Sequence, residues 1–151
     1  MQEIIRMLDR SLKYEGYEIR NDEIHIQVKS RRKLLKCPKC GRKTKKIHSR
    51  YIRTVQDMPI GNKKVYIEIA SRKMFCRNWN CSQKTFAENY EFTGANKVKT
   101  KRLEAEIVSV GMNMSSQAAS QMLNRSTVKI CGRTVRNLIK KTERSKYPER
   151  V

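Results

Sequence analysis

The sequence predicts an α+β chain in which a β-rich, cysteine-bearing unit precedes three short helices. Three observations predict it. Val65, Ile67 and Ile69 alternate with Tyr66, Glu68 and Ala70, the period-two signature of a half-buried strand. Close cysteine pairs, Cys37 with Cys40 and Cys76 with Cys81, bracket the strand-like stretch. From Thr100 the period changes, and Leu103, Ile107, Val110 and Met114 fall on one helical face.

At the N-terminus, Ile4, Ile5, Leu8 and Leu12 have helical spacing. Tyr17 to Arg20 then alternates, Asn21-Asp22 supplies turn chemistry, and Ile24, Ile26 and Val28 alternate again, so residues 1–30 read as a helix and a β-hairpin serving as a flap before the next module. Residues 31–90 hold the cysteines and a small antiparallel sheet, with a turn at Gly61-Asn62 and β-formers from Ile47 to Val55. Residues 91–99, centred on Gly94-Ala95-Asn96, read as a linker. Residues 100–142 hold the helices, and 143–151 read as a frayed tail.

Composition narrows the function. The chain has 151 residues, 38% hydrophobic and 7% aromatic, which suits two or three small modules better than one large core. Its 35 Lys and Arg against 14 Asp and Glu give a net charge of +21, an excess normally offset by a polyanion such as nucleic acid. Twelve basic and no acidic residues lie in 29–56, and six basic and no acidic residues lie in 107–142. The longest uncharged stretch, Ile107 to Asn124, is too rich in Ser, Asn and Gln for a bilayer core, and no export signal precedes it. A cytoplasmic, nucleoid-associated protein that avoids membranes is expected.

Cys37-Pro38-Lys39-Cys40 and Cys76-Arg77-Asn78-Trp79-Asn80-Cys81 have the spacing of two metal knuckles, and Gly41 permits positive φ after the first. Four thiolates around one zinc ion leave no open coordination position, so the predicted cofactor is one structural zinc held by Cys37, Cys40, Cys76 and Cys81. Its removal is expected to unfold residues 37–81. His48 is expected to be a surface or sheet histidine rather than a ligand, Trp79 to pack over the site, with stacking on a base or partner as the alternative, and Cys131 to be a small semi-buried helix residue.

In the helical region, Ser115-Ser116 can cap a second helix carrying Ala118, Ala119, Met122 and Leu123. If Val135, Leu138 and Ile139 of a third helix face inward, Arg133, Thr134, Arg136, Asn137 and Lys140 face outward. This is a helix-turn-helix pattern, and those side chains are of the types that read bases and phosphates. Between Asn124 and Gly132 two readings stay open: an expanded turn, or a third helix beginning near Ser126. The predicted fold is thus a β-rich zinc ribbon followed by a three-helix helix-turn-helix module.

Cys37-Pro38-Lys39-Cys40-Gly41, His48-Ser49-Arg50-Tyr51, Asp57-Met58-Pro59, Arg72-Lys73-Met74-Phe75-Cys76, Asn80-Cys81 and Phe86-Ala87-Glu88 together resemble the zinc-binding N-terminal region of insertion-sequence transposases of the ISL-three family. The helices from Thr100 to Lys141 resemble that family's helix-turn-helix. Such enzymes are of the DDE type, with three carboxylates and two metal ions in a following ribonuclease-H-like domain. The only aspartates here are Asp9, Asp22 and Asp57, so the expectation is a recognition part without the catalytic part, and no enzyme by itself.

The expected function is sequence-specific binding of duplex DNA at the terminal inverted repeats of a mobile element. Arg31, Arg32, Lys33, Arg42, Lys43, Lys45, Lys46 and Arg50 would hold phosphates, and Arg133, Thr134, Arg136, Asn137 and Lys140 would lie on the reading helix. A full-length transposase and a second copy of the chain are expected protein partners. An autonomous, antitoxin-like regulator and an RNA-binding protein are the alternatives.

Overall fold

In the computed structural model, which describes residues 1–146, the chain begins with α1 (Gln2–Leu8), β1 (Leu12–Arg20) and β2 (Glu23–Ser30). Short strands β3 (Leu35–Lys36) and β4 (Lys43–Thr44) flank the first cysteine pair, and the long strands β5 (Ile47–Ile60) and β6 (Lys63–Phe75) follow. After β7 (Thr85–Ala87) come α2 (Lys101–Met112), α3 (Ser116–Ser126) and α4 (Gly132–Lys146). The α+β class holds. Of the tail expected from 143, Glu143, Arg144, Ser145 and Lys146 instead belong to α4, and the basic groups of its last turn complement the helix dipole. The rest of that expected tail, 147–151, lies outside the described residues.

Turn chemistry sets the hairpins. Asn21 and Asp22 both have positive φ, 49° and 64°, the geometry that matches the twist of a two-residue β-turn. Gly61, at φ +59°, turns β5 into β6. The main sheet has the order β1-β2-β6-β5, with β7 pairing β6 at Lys73–Phe75, past the stretch that β2 occupies.

Two expectations change here. The sheet is mixed rather than antiparallel, since β2 runs parallel to β6 with Ile26 opposite Ile67 and Val28 opposite Ile69. The N-terminal hairpin is therefore part of the sheet and no flap. Its apolar face would be exposed if it stood alone; in place, Ile5, Leu12, Ile26 and Val28 share one core with Val55, Val65, Ile67, Ile69, Tyr90 and Phe92. Leu12 lies in β1 rather than on α1, and Ile4 is exposed.

Two smaller clusters flank that core. Leu35, Cys37, Met74, Cys81 and Phe86 form one, and Leu103, Ile107, Ala119, Leu123, Val128, Ile130 and Val135 form the other. In the helical cluster Thr100 caps α2 by accepting from the Leu103 N–H at 3.3 Å, and Ser115 caps α3 by accepting from the Ala118 N–H at 3.2 Å. Met122 faces solvent on α3, and Met114 lies beyond the end of α2, so neither extends the inner face as its spacing suggested.

The connection between α3 and α4 is the expanded one, Thr127 to Cys131, and it is packed. Val128 and Ile130 enter the helical cluster. Asn124 holds the turn from within: its Nδ2 donates to the carbonyls of Ser120 (2.6 Å) and Ile130, and its Oδ1 accepts from the Ile130 N–H at 3.1 Å. Cys131 is exposed immediately before α4, not semi-buried within a helix, because the helix starts one residue later.

The stretch expected as a linker, 91–99, is fastened to the sheet. Gln56 donates its N–H to Val98 O at 2.8 Å and accepts from the Thr100 N–H at 2.9 Å. Arg53 donates to the carbonyls of Gly94 (2.5 Å) and Lys97 (2.9 Å). Phe92 and Thr93 are buried. Asp57, also buried, accepts from Thr100 Oγ1 and Arg102 Nε, both at 2.8 Å, and joins the end of β5 to the start of α2.

A second buried carboxylate fastens the segment after Cys81. Glu88 accepts a two-pronged bond from Arg72, 3.0 Å from Nε and 3.1 Å from the terminal nitrogen, which also donates to Arg32 O at 2.8 Å. Removing one partner of such a pair leaves the other charge buried and unmatched. Glu88→Ala is therefore expected to destabilise the fold by about 3–5 kcal/mol, more than the joint replacement of Arg72 and Glu88 by apolar residues of similar volume. Denaturant unfolding measures both, and a loss below ~1 kcal/mol for Glu88→Ala would remove the pair from the account of stability.

Candidate metal centre and nucleic-acid interface

Each cysteine pair sits in a turn closed by its own backbone. In the first, the Cys37 N–H donates to Arg42 O at 3.0 Å and the Gly41 N–H to Cys37 O at 2.9 Å. Gly41 has φ +74°, as its position after the knuckle requires. In the second, the Cys76 N–H donates to Lys84 O at 2.9 Å and the Cys81 N–H to Asn78 O at 3.1 Å. The β5–β6 ladder brings the two turns together, so residues more than thirty positions apart in sequence meet at one point.

There the four Sγ atoms lie within 4.8 Å of one another, with Cys37 to Cys81 at 3.9 Å and Cys40 to Cys76 at 3.6 Å. Four sulfurs on a tetrahedron about 2.3 Å from a zinc ion stand ~3.8 Å apart, so the observed spacing fits the ion and is far too long for disulfides. Cys37 and Cys81 are buried, Cys76 is half-buried and Cys40 is exposed.

The neighbouring sulfurs also shift one another's acidity. The Arg42 N–H pulls Cys40 down to about 6. At Cys76 the Asn78 N–H also favours the thiolate, but desolvation and the neighbouring sulfurs outweigh it and push the thiol up to about 11. One sulfur's charge thus opposes the next, and a divalent ion relieves the conflict. The site is a structural zinc centre. Its four protein thiolates complete the coordination, so the ion acts as a fastener between the knuckles.

His48 stays outside this set. Its ring stands edge-on to Phe75 with centroids 4.8 Å apart, and Nδ1 lies 3.0 Å from Ser49 Oγ. Trp79 departs from expectation: it is 93% exposed and covers nothing, because the knuckle's backbone bonds turn position 79 outward.

The expected phosphate-binding side chains separate into two groups. Arg31, Lys33, Arg42, Lys43, Lys45, Lys46 and Arg50 are exposed, with Arg31 beside Glu3, Arg6, Met7 and Arg10 at the N-terminal helix. Arg32 is half-buried and turned inward, donating to Asn89 O at 2.6 Å and lying 3.6 Å from Asp9. Asp9 is buried and also accepts from the Ser11 N–H, the Ser11 hydroxyl and the Glu91 N–H, and nothing near Arg32 in sequence signals that partner. On α4, Arg133, Arg136, Asn137 and Lys140 are exposed, while Val135 is buried and Leu138 and Ile139 pack on the helical cluster. Thr134 is half-buried, its Oγ1 3.3 Å from Cys131 Sγ.

Sequence reasoning missed one group. Arg77 and Lys84 join Lys46 and Trp79 along a groove at the second knuckle. An aromatic residue with polar neighbours inside a metal knuckle was the available signal. Among the described residues no helix is long and apolar enough to cross a membrane.

Residues 33–81, which carry all four clustered cysteines, match the model of the zinc-finger of transposase IS204/IS1001/IS1096/IS1165. Over 84% of its length the chain is also 26% identical to the transposase for insertion sequence element IS1001 of Bordetella parapertussis. The resemblance drawn from the motifs therefore holds, and the chain spans about a third, 31%, of that relative's length. No solved structure matches the chain significantly.

The zinc cluster is small and separate from the main core, where Val55, Val65, Ile67 and Ile69 pack with residues of α1, β1 and β2. Chelation is expected to remove hydrogen-exchange protection from the knuckles and from Met74 to Phe86, while Ile67 and Ile69 stay protected. Simultaneous loss of protection across both regions would instead make zinc the support of the entire sheet.

Proposed function

We propose that the chain binds duplex DNA and recognises the terminal inverted repeats of an insertion sequence. The observation that carries this reading is the division of α4 into two faces. Arg133, Arg136, Asn137 and Lys140 are spaced i, i+3, i+4, i+7 on an exposed face, and Val135, Leu138 and Ile139 lock the opposite face to α2 and α3. Helices α3 and α4 with their expanded turn then serve as the helix-turn-helix, and α4 enters the major groove.

The zinc ribbon supplies register. Arg31, Lys33, Arg42, Lys43, Lys45, Lys46 and Arg50 meet phosphates, which position the protein without any reading of bases. Arg32 is omitted from that set because its guanidinium serves the fold, and Thr134 plays at most a secondary part because it faces the turn. The related transposase supports an element-end context, and this chain contributes recognition rather than strand transfer: Asp57 and Glu88 are engaged in structural pairs. An element has two ends, so a second copy of the chain or a full-length transposase completes the complex. DNA as partner places the protein at the nucleoid.

Arg133→Ala and Arg136→Ala are each expected to cost about 1–3 kcal/mol on the element's ends and to relax sequence preference. Lys45→Ala should weaken all duplexes alike and lower the salt slope by about 0.9 for each phosphate that the variant no longer neutralises. Competition binding against scrambled duplex across a salt series reads both effects. Equal losses on specific and scrambled DNA for the two arginine variants would overturn base reading by α4.

A further inference from the structure

We propose that the groove beside Trp79 holds an unpaired DNA base, stacked on the indole, with Lys46, Arg77 and Lys84 on the flanking phosphates. The inference rests on the DNA-binding reading above and adds a second, single-strand site to it.

The exposure of Trp79 is anomalous for its residue type. Trp79 is the chain's only tryptophan, and it is 93% exposed. An indole normally buries a large apolar area; here Phe92 and Tyr90 are buried, and the exposed Tyr17 and Tyr51, at 58% and 40%, are still more covered than Trp79. Trp79 is exposed on a rigid support. It lies between two zinc ligands, and the Cys81 N–H to Asn78 O bond (3.1 Å) and the Asn80 N–H to Asn78 Oδ1 bond (3.1 Å) close the turn around it. A ring carried on such a turn loses little conformational freedom when a partner covers it.

The surroundings select the partner. The groove, about 450 Å³, is lined by Lys46, Phe75, Cys76, Arg77, Asn78, Trp79 and Lys84, a set with three cations and no carboxylate. That volume lies within the range of sites that take small ligands. The Lys46 ammonium already lies 5.4 Å from the centroid of the Phe75 ring. A flat aromatic surface among acid-free cations matches a nucleotide, whose base has a π-face and whose phosphate is an anion. In duplex DNA both faces of a base are covered by its neighbours, so the indole can reach only a base that has left the stack, at a strand end or in a single-stranded extension.

Because Trp79 is the single indole, its emission reports on the groove directly. The zinc-loaded full chain is titrated with a blunt duplex, the same duplex with a short oligothymidine extension, the oligothymidine alone, its uridine counterpart and polyglutamate. The extension is expected to tighten binding about 5–100-fold over the blunt duplex and to quench the indole. Trp79→Ala should abolish that gain and leave blunt-duplex affinity unchanged, and Trp79→Phe should keep most of it. Arg77→Glu, which preserves the fluorophore, should abolish both gain and quenching; zinc stoichiometry and the thermal transition verify that each variant is folded.

Equal affinity for tailed and blunt duplexes without quenching overturns the proposal, as does quenching by polyglutamate but not by oligothymidine, or tighter binding of the uridine strand. Failure of the duplex reading looks different: the blunt duplex is then not bound in preference to scrambled DNA, whatever the extension does.

Discussion

The ladder between β5 and β6 is the constraint on which the rest of the structure depends. Strand β5 is long enough to take part in every apolar cluster of the chain: Ile47 packs at the zinc end, Val55 in the main core and Met58 against the helices. Strand β6 contributes Val65, Ile67 and Ile69 to the main core and Met74 to the zinc cluster. Backbone pairing of two strands is directional, so fixing their register fixes where each cluster stands relative to the others. The break in the ladder between Asp57 and Ile60 coincides with Pro59, which has no N–H to give.

Long-range polar fasteners then attach the segments that the ladder leaves free. Asp57 ties β5 to the capping residue of α2, and Glu88 ties the segment after the second knuckle to Arg72 on β6. Both carboxylates are buried and satisfied, as buried charge requires. They also belong to the motifs through which the sequence resembles transposases. Asp57, Arg72 and Glu88 serve the architecture of the ribbon and its junction, whereas Arg42, Lys45, Lys46 and Arg50 are exposed and free to meet a partner.

Electrostatics separates the two kinds of arginine that composition alone counts together. Arg32 and Arg72 are turned into the protein by Glu88, Asp9 and backbone carbonyls. Arg133 and Arg136 stand on a helix whose other face is apolar. A positive excess is thus partly structural, and its functional share is the part that finds no internal acid.

What the sequence by itself determined is what short-range chemistry controls. The cysteine spacings are sufficient for two knuckles because each closes on its own turn. Asn21-Asp22 and Gly61 specify hairpins through positive φ, Ser115 caps a helix, and the spacing of Val135, Leu138 and Ile139 sets the inner face of α4. The tertiary structure decided what depends on distant partners. The parallel pairing of β2 with β6, the fastening of 91–99, the inward turn of Arg32 and the outward turn of Trp79 all depend on groups tens of residues away or on the direction a closed turn imposes. Periodicity reports which face of a segment is apolar. It carries no information about which other face will cover it, and here that choice was made by the ladder and by two buried carboxylates.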